Sequence, residues 1–155
     1  MPETTTSAPG VTDQATAAPG PVRPLPAADE PDTRPLWEGS REQELRYPVC
    51  DACHRLIWYP RAHCPSCGSL SVTWVAAATP VEGAIYTFTV VRRHLHPFFA
   101  TRVPYVVAWI DLDAGPRLLS EVTDADPDAV RIGDRVRLHW ERHESLSLPL
   151  FAPLT

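Results

Sequence analysis

The chain has 155 residues and a net charge of −5 at neutral pH. Its length suits one full domain or two small ones, and its acidity gives no overall electrostatic reason to bind nucleic acid. The sequence contains no run of about 20 apolar residues, so no membrane-spanning helix is predicted.

The N-terminal segment, residues 1–34, differs in composition from the rest of the chain. Eight of the 18 prolines fall within residues 1–35, mixed with threonine, alanine and glycine. Such a segment buries too little apolar surface to offset the entropy of ordering it, so we predict a disordered tail. The alternative is a rigid spacer or a docking tail.

The first residues lack a basic stretch followed by an apolar one, so no secretory signal is predicted and a cytoplasmic protein is expected.

The next residues, 35–46, predict one or two helical turns. Pro35 suits a first helical position, whereas Gly39 weakens the helix. Trp37 on so polar a helix is a candidate for docking to a partner protein. The alternative is that Trp37 packs against the metal-binding segment of its own chain.

Four cysteines have the spacing of a zinc ribbon, Cys50-x2-Cys53-x10-Cys64-x2-Cys67. Each two-residue gap lets a tight turn present both sulfurs to one ion, and zinc prefers four such ligands in a tetrahedron. We therefore predict one structural Zn²⁺ per chain, with iron, disulfides or free thiols as the alternatives. Four thiolates leave no open coordination position, so this ion contributes folding energy and not catalysis. Helix and ribbon together make a predicted first domain over residues 35–75.

Short β-type runs separated by turn signals follow the cysteines and predict an all-β domain over residues 76–155. Five runs of this length suit a five-stranded OB-type barrel. The five predicted strands are residues 71–76, 83–93, 104–112, 117–122 and 135–141.

Alternation within these strands predicts which side chains face the core. In the second strand, Tyr86, Phe88 and Val90 share one face. The last strand alternates apolar with charged or histidine side chains, which is typical of a half-buried antiparallel strand. Residues 124–130 are predicted to form a short helical turn that fills the connection before it.

A basic and aromatic loop joins two of the predicted strands. Between residues 83 and 110 the charged residues are three arginines, which gives this stretch a charge of +3. Guanidinium groups suit phosphate oxygens, so we predict a loop that contacts a phosphate-bearing ligand; a solvated hairpin is the alternative. The two histidines could also ligate a metal, but no carboxylate lies between Glu82 and Asp111 to complete a site. The candidate residues are Arg92, Arg93, His94, His96, Phe98, Phe99 and Arg102.

The short motifs of common catalytic sites are absent from the sequence. It has no Gly-x-Ser-x-Gly, no His-Glu-x-x-His, no phosphate-binding loop and no dinucleotide fingerprint. With all four cysteines assigned to metal, no thiol remains as a nucleophile. We predict no catalytic residue in this chain.

Taken in order, these features resemble a family of proteins that join a rubredoxin-like zinc ribbon to an OB-fold domain and associate with acyl-CoA enzymes, formerly a domain of unknown function. The resemblance covers residues 36–155 and implies a mainly β protein with a short N-terminal helix, the ribbon and a five-stranded barrel. His54, directly after Cys53, stands where glycine is often found in the family. The motifs that carry the resemblance, besides the cysteine spacing, are Leu36-Trp37-Glu38, Trp58-Tyr59-Pro60-Arg61, Cys64-Pro65-x-Cys67-Gly68-Ser69, Ile85-Tyr86-Thr87-Phe88-Thr89-Val90-Val91, Pro104-Tyr105-Val106-Val107-Ala108, Leu112-Asp113-x-Gly115 and Ile132-Gly133-Asp134-x-Val136.

The resemblance implies a non-catalytic accessory subunit. Members of the family pair with thiolase-like enzymes, including sterol-carrier-type aldolases, or with hydratases of the hot-dog fold. The specific expectation is a hetero-oligomer with a thiolase-like aldolase, an acyl-CoA lyase that cleaves a steroid side-chain acyl-CoA by a retro-aldol reaction. By the same resemblance, the loop from Arg92 to Arg102 meets the partner or a coenzyme A thioester, and the helix of Trp37 docks on the partner.

Two alternatives belong to other classes. A single-stranded nucleic-acid-binding module is one, because zinc ribbons and OB barrels both bind nucleic acid. Against it, residues 36–155 carry 12 arginines and 14 carboxylates. Electron transfer by iron in the four-cysteine site is the other, and visible absorbance separates it from zinc, whose thiolates are colourless.

Overall fold

The computed structural model describes residues 20–154, which begin with a segment without helix or strand, followed by a short helix. Helix α1 is Arg34–Arg41, with proline in its first turn, and it buries Leu36, Gly39 and Ser40. The predicted one or two helical turns are thereby confirmed. Within residues 20–154, no helix has the length and apolar character needed to cross a membrane.

Packing explains the glycine that weakened the helix prediction. A Cβ atom on Gly39 would lie 2.8 Å from the side chain of Arg46 and 2.8 Å from the carbonyl oxygen of Glu44. Both distances are shorter than van der Waals contact, so a larger residue would push α1 away from the chain that follows. The next residue, Ser40, fixes the helix to the far end of the chain, because its Oγ accepts a hydrogen bond of 3.2 Å from the N–H of Ser147.

A two-stranded sheet closes the base of the cysteine segment. Strands β1, Arg46–Cys50, and β2, Val72–Ala76, pair antiparallel with Cys50 opposite Val72. Residues 71–76 were predicted as a barrel strand, and that prediction is wrong. The strand that pairs with β2 is instead β1. Because β1 is only five residues long and contains Pro48, its sequence does not show a strand pattern.

The other five strands form a closed barrel in the order β3-β4-β5-β7-β6. Neighbours pair antiparallel, except that β5 and β7 run parallel and share one residue pair, Val122 with Phe151. A five-stranded closed barrel after a ribbon confirms the predicted mainly β, OB-type fold. The strands are β3 Glu82–Val91, β4 Tyr105–Leu112, β5 Arg117–Val122, β6 Arg135–Arg142 and β7 Ser147–Pro153.

Strand β7 takes the place that residues 71–76 were predicted to fill, and the sequence analysis missed it. Pro149 and Pro153 normally argue against a strand. The barrel accommodates them because β7 pairs along its length with β6 but at a single position with β5. A side-chain bond helps to close that gap, since Ser120 Oγ donates to the carbonyl oxygen of Pro149 at 2.6 Å.

A β-bulge in β3 changes which of its residues face the core. The register with β4 shifts between Ile85 and Thr87 and leaves Tyr86 as an extra residue. Ile85 is buried and Tyr86 is 51% exposed, whereas Phe88 and Val90 pack against the main core. The predicted common face is therefore wrong at Tyr86, because one inserted residue reverses the alternation.

The connection from β5 to β6 contains the single helical turn predicted for residues 124–130. The carbonyl oxygen of Asp126 accepts hydrogen bonds from the N–H groups of Ala129, at 2.9 Å, and Val130, at 3.2 Å. Val130 is buried in the main core. The turn therefore fills this connection, as predicted.

The main hydrophobic core fills the barrel and continues under α1. The ribbon, in contrast, has a separate buried cluster of only Cys50, Ile57 and Cys64. Three residues are far too few to stabilise a folded segment through apolar burial alone. The folded ribbon must therefore be stabilised by interactions other than apolar burial.

The predicted disordered tail lies partly outside the described residues, which exclude residues 1–19. Residues 20–33 contain no helix or strand, yet the side chain of Arg23 is only 9% exposed. Disorder of the tail stays a prediction, as do the domain limits at 35–75 and 76–155.

Candidate metal centre and basic loop

Two turns of the same construction bring the four cysteines together. In the first turn, the N–H of Cys50 donates to the carbonyl oxygen of Arg55 at 2.9 Å, and the carbonyl oxygen of Cys50 accepts from the N–H of His54 at 2.9 Å. Cys53 lies inside this loop. The hydrogen bonds close a tight turn whose two sulfurs point to the same side of the backbone.

The second turn repeats the first, and the repeat explains the unusual histidine. The N–H of Cys64 donates to Ser69 at 2.8 Å, and its carbonyl oxygen accepts from Gly68 at 2.9 Å. In each turn the fourth residue after the first cysteine has positive φ, 58° at His54 and 77° at Gly68. Glycine adopts this conformation freely, whereas a side chain costs about 1 kcal/mol. His54 thus occupies a glycine position at a small cost.

The sulfur positions fit one tetrahedral ion. All four sulfurs lie within 4.8 Å of one another. Cys50 Sγ and Cys67 Sγ are 3.6 Å apart, and Cys53 Sγ and Cys64 Sγ are 3.7 Å apart. Four sulfurs at about 2.3 Å from a central ion form a tetrahedron with edges of about 3.8 Å. The residues present therefore suit the four-sulfur coordination that zinc and iron both accept.

Backbone N–H groups favour the thiolate form of two of these cysteines. The N–H of Cys53 is the largest influence that lowers the pKa of Cys50. Burial raises the pKa of Cys64, but the N–H groups of Ser66 and Cys67 outweigh burial and bring that pKa to about 6. Both are the buried members of the cluster, and the thiolate is the form of cysteine that binds a cation.

Crowding has the opposite effect on the exposed cysteine. The N–H of Ser69 lowers the pKa of Cys67, whereas the thiols of Cys50 and Cys53 raise it to about 12. Four negative sulfurs cannot lie this close together without a compensating charge. A divalent cation at the centre would supply that charge, which is how metal binding deprotonates a coordinating thiol.

The predicted ligand loop, residues 92–102, has an exposed basic tip. Arg92 is held by an ion pair, with Nη2 at 2.6 Å from Asp128 Oδ1. His96 turns inward along the backbone, where its Nδ1 accepts a hydrogen bond of 3.2 Å from the N–H of Phe98. The exposed candidate residues of the tip are Arg92, Arg93, His94 and His96.

The base of the loop is an aromatic cluster. The rings of Phe98 and Phe99 meet edge to face with centroids 5.0 Å apart, and Phe99 stacks on Tyr105 at 5.1 Å. The guanidinium of Arg102 lies 4.2 Å from the centre of the Phe98 ring. The structure therefore groups Phe98, Phe99 and Arg102, and of the tip residues it is His96 that contacts this group, through the N–H of Phe98. Contact of this loop with coenzyme A stays a prediction.

Arg23 joins the aromatic cluster from the N-terminal segment, and the sequence analysis missed it. Its guanidinium carbon lies 5.6 Å from the ring centres of both Phe98 and Phe99. It also donates to Glu121 at 2.6 Å and to Glu141 at 2.9 Å. The available signal was that Arg23 is the only basic residue among the first 33.

Replacing Arg23 with alanine is expected to lower the free energy of unfolding by about 2 kcal/mol, because two carboxylates that are 13% and 28% exposed lose the cation they share. Urea denaturation measures the loss, and hydrogen exchange should become faster in residues 20–26 and 96–103. Arg34→Ala is the control, since its pair with Glu38 is long and exposed and should contribute less than about 0.5 kcal/mol. Equal losses in the two variants would contradict the role of Arg23.

Trp37 is half-buried and packs against the main core. Packing within its own chain therefore accounts for its position. Docking of a partner at Trp37 stays a prediction.

Two sequence profiles match consecutive parts of the chain. The profile described as the ChsH2 rubredoxin-like zinc ribbon domain matches residues 37–73. The profile described as the ChsH2 C-terminal OB-fold domain matches residues 74–141. The two matches together span more than half of the chain, and they meet at the end of the metal-binding segment.

Similar proteins carry two kinds of name. A probable enoyl-CoA hydratase alpha subunit of Thermomonospora curvata is 36% identical over 146 residues, which are 94% of this chain and 44% of the relative. The 3-oxo-4,17-pregnadiene-20-carboxyl-CoA hydratase alpha subunit of Mycobacterium tuberculosis is 29% identical over 79% of this chain and 38% of its own. A DUF35 domain-containing scaffold protein of Methanothermobacter thermautotrophicus is 32% identical over 60% of this chain and 68% of its own. This chain thus spans less than half the length of the two hydratase subunits.

A solved structure has the same fold over nearly its full length. It is named as an Ltp2-ChsH2(DUF35) aldolase, is 34% identical in sequence and superposes with a TM-score of 0.74. The match covers 83% of this chain and 98% of the related chain.

Proposed function

Because the chain belongs to the ChsH2 family, whose members join a rubredoxin-like zinc ribbon to an OB-fold domain, we propose that it is a non-catalytic accessory subunit of an acyl-CoA enzyme. The observation that carries the proposal is the likeness to a chain of the Ltp2-ChsH2 aldolase, which extends over almost all of that chain. Relatives named as scaffold proteins support the same role.

Zinc is the ion that we propose for the four-cysteine cluster. Sulfur ligands at these distances suit it, and the matching family profile is that of a zinc ribbon. Four thiolates occupy all the coordination positions of a tetrahedral ion, so such a site can neither activate water nor polarise a carbonyl group. The role of Cys50, Cys53, Cys64 and Cys67 is then to hold the ribbon folded.

The partner that we propose is a thiolase-like aldolase, in a cytoplasmic hetero-oligomer that cleaves a steroid side-chain acyl-CoA by a retro-aldol reaction. The name of the similar solved structure supports an aldolase, and the name of the Mycobacterium tuberculosis relative supports a steroid acyl-CoA. Thiol ligands also need a reducing compartment, which supports the cytoplasm.

A hydratase is the second candidate partner. Two relatives are named as hydratase alpha subunits, and one of them matches 94% of this chain. Those relatives are more than twice as long as the matched segment, so the part that this chain resembles need not be the part that performs the hydration. The two candidates predict different partners and different products.

Co-expression with each thiolase-like protein and each hot-dog hydratase of the source genome tests the proposal. We expect a stable complex with a thiolase-like protein. Release of a shorter acyl-CoA from a β-hydroxyacyl-CoA should require both proteins. Chromatography measures the acyl-CoA that is released. The control is each protein alone at the same concentration.

Three results would contradict this assignment. A complex with the hydratase only would move the proposal to the second candidate. Turnover by this chain alone would refute the accessory role. A salt-sensitive shift with a single-stranded oligonucleotide, with no enzyme partner found, would favour the nucleic-acid alternative.

A further inference from the structure

Strand β4 is apolar on both of its sides from Tyr105 to Ile110. Its buried residues alternate with outward ones, and three of the four outward residues, Tyr105, Val107 and Trp109, are half-buried and apolar or aromatic; the fourth, Asp111, is charged and ends the row. A strand at the surface of an antiparallel barrel usually carries polar side chains on the outward side. The outward side of β4 therefore has the composition of a covered surface.

Strand β6 of the same barrel provides the comparison. Its outward residues are polar at every position, with Val136, Leu138 and Trp140 packed into the main core. The outward residues of β6 are Arg135, Arg137, His139 and Glu141. The barrel thus follows the ordinary pattern on one side and departs from it on the side of β4.

Neighbouring elements extend the apolar surface. Leu119 of β5 stands opposite Trp109 and is 46% exposed. The ribbon contributes Tyr59, whose ring centre is 6.2 Å from that of Trp109 and which is 48% exposed. The bulge turns Tyr86 outward, as described above. We call this surface the outer apolar face and define it as Tyr59, Tyr86, Tyr105, Val107, Trp109 and Leu119.

Charges around this face are balanced at one end and unbalanced at the other. Beside Tyr86, the guanidinium of Arg117 lies 3.4 Å from the ring centre and pairs with Asp111 at 2.5 Å. At the opposite end, Tyr105 stacks under the base of the basic loop. Of the loop arginines, Arg93 and Arg102 make no ion pair within residues 20–154.

The tip of the basic loop adds one further apolar group. Leu95 is 96% exposed, the largest exposure among the large apolar side chains of the described residues. It lies between His94 and His96 in a segment that is basic on both sides. An isolated leucine of this kind needs no explanation alone, so it is not counted in the outer apolar face.

We infer that the outer apolar face binds the enzyme partner, and that the partner presents an apolar patch with carboxylates at the end that meets the basic loop. The inference rests on the proposed function, because it names the thiolase-like subunit as the occupant. Apolar burial supplies the affinity, and the unpaired arginines give the complex its orientation through charge complementarity.

Leu119→Arg tests the face, and Ile132→Arg is the matched control. Ile132 is 68% exposed in the turn before β6 and lies outside the face, so both variants place the same charge on an exposed aliphatic position. Binding is measured by calorimetry against the thiolase-like enzyme that forms the complex with the wild-type chain. We expect Leu119→Arg to weaken binding about thirtyfold or more, because it buries an unpaired charge, and Ile132→Arg to leave it unchanged. Zinc content and thermal unfolding confirm that both variants fold.

A third variant, Arg93→Glu, tests the acidic end of the partner. Complementary charges raise the association rate at low salt, so reversal of this charge should slow association and reduce its salt dependence. Faster association would show that the partner is basic at this end and would overturn that part of the inference.

The outcomes separate the inference from the proposed function. If the wild-type chain binds a thiolase-like enzyme and Leu119→Arg binds equally well, the face is not the interface and the proposed function stands. If the wild-type chain binds no such enzyme, the inference and the aldolase assignment are both refuted. If Leu119→Arg instead abolishes a dimer of this chain, or binding of a single-stranded oligonucleotide, the occupant is a second copy or a nucleic acid and the inference is wrong.

Discussion

Replacing Cys64 with serine is expected to abolish metal binding and to unfold the ribbon, while the barrel keeps its strands. Cys64 is 1% exposed and belongs to the three-residue buried cluster of the ribbon. A serine hydroxyl does not replace a thiolate ligand, and the binding energy of a structural zinc ion, about 10 kcal/mol or more, is folding energy for such a segment. Because Tyr59 of the ribbon belongs to the outer apolar face, assembly with the enzyme partner should be lost as well.

Elemental analysis measures the bound metal, and hydrogen exchange locates the unfolding. Amides of residues 46–76 should lose protection, whereas those of β4 and β6 should keep it. Ser66→Ala is the control, since Ser66 lies in the same turn and its exposed hydroxyl makes only a 3.5 Å contact with Arg55. Retention of one tightly bound zinc by Cys64→Ser would disprove the four-cysteine site. Visible colour in the wild-type protein would show iron in place of zinc.

The metal centre could be predicted from the sequence because its determinants are local. Two cysteines with two residues between them specify a tight turn, and the two turns here repeat the same hydrogen bonds. His54 looked like a departure because its backbone conformation is invisible in the sequence. Only the positive φ in the structure shows that it fills the same position as Gly68.

The surroundings of the basic loop could not be predicted in the same way. Arg23 reaches Glu121 and Glu141 across 98 and 118 residues of sequence, and no local pattern encodes such distances. The outer apolar face was partly visible, since the residues of β4 are apolar at consecutive positions. What that pattern means depends on which side of β4 the barrel covers, and this is a property of the fold.

Strand assignment failed where pairing partners, rather than propensities, decide the structure. Residues 71–76 have a good strand pattern, but they pair with β1 at the base of the cysteine segment and not with a strand of the barrel. Strand β7 has a poor pattern because of its prolines, but the barrel requires a fifth strand between β5 and β6. In both cases, pairing within the ribbon sheet or the barrel decides the structure, and it overrides the strand propensity of the local sequence.

Replacing Phe151 with alanine is therefore the sharpest test of the fold, and we expect it to lower the free energy of unfolding by about 4 kcal/mol. Phe151 is fully buried in the main core, it lies opposite Leu138 of β6, and it is the residue through which β7 pairs with β5. Alanine keeps the backbone bonds of β7, including the 2.7 Å bond from the N–H of Thr123 to the carbonyl oxygen of residue 151. The loss thus measures the side chain alone, and it is a large part of the total of about 5–15 kcal/mol that holds a domain folded.

Phe99→Ala is the matched control for this prediction, because it removes the same ring from a half-buried position outside the barrel. Phe99 packs on its aromatic neighbours and lies near Arg23, and it is only half-buried, so its removal should cost about 1 kcal/mol. Urea denaturation of both variants, followed by circular dichroism, gives the two free energies. A cost below about 1 kcal/mol for Phe151→Ala would mean that β7 does not close the barrel. The chain would then present an open sheet edge beside β5, and the outer apolar face would no longer be the principal surface left for a partner to cover.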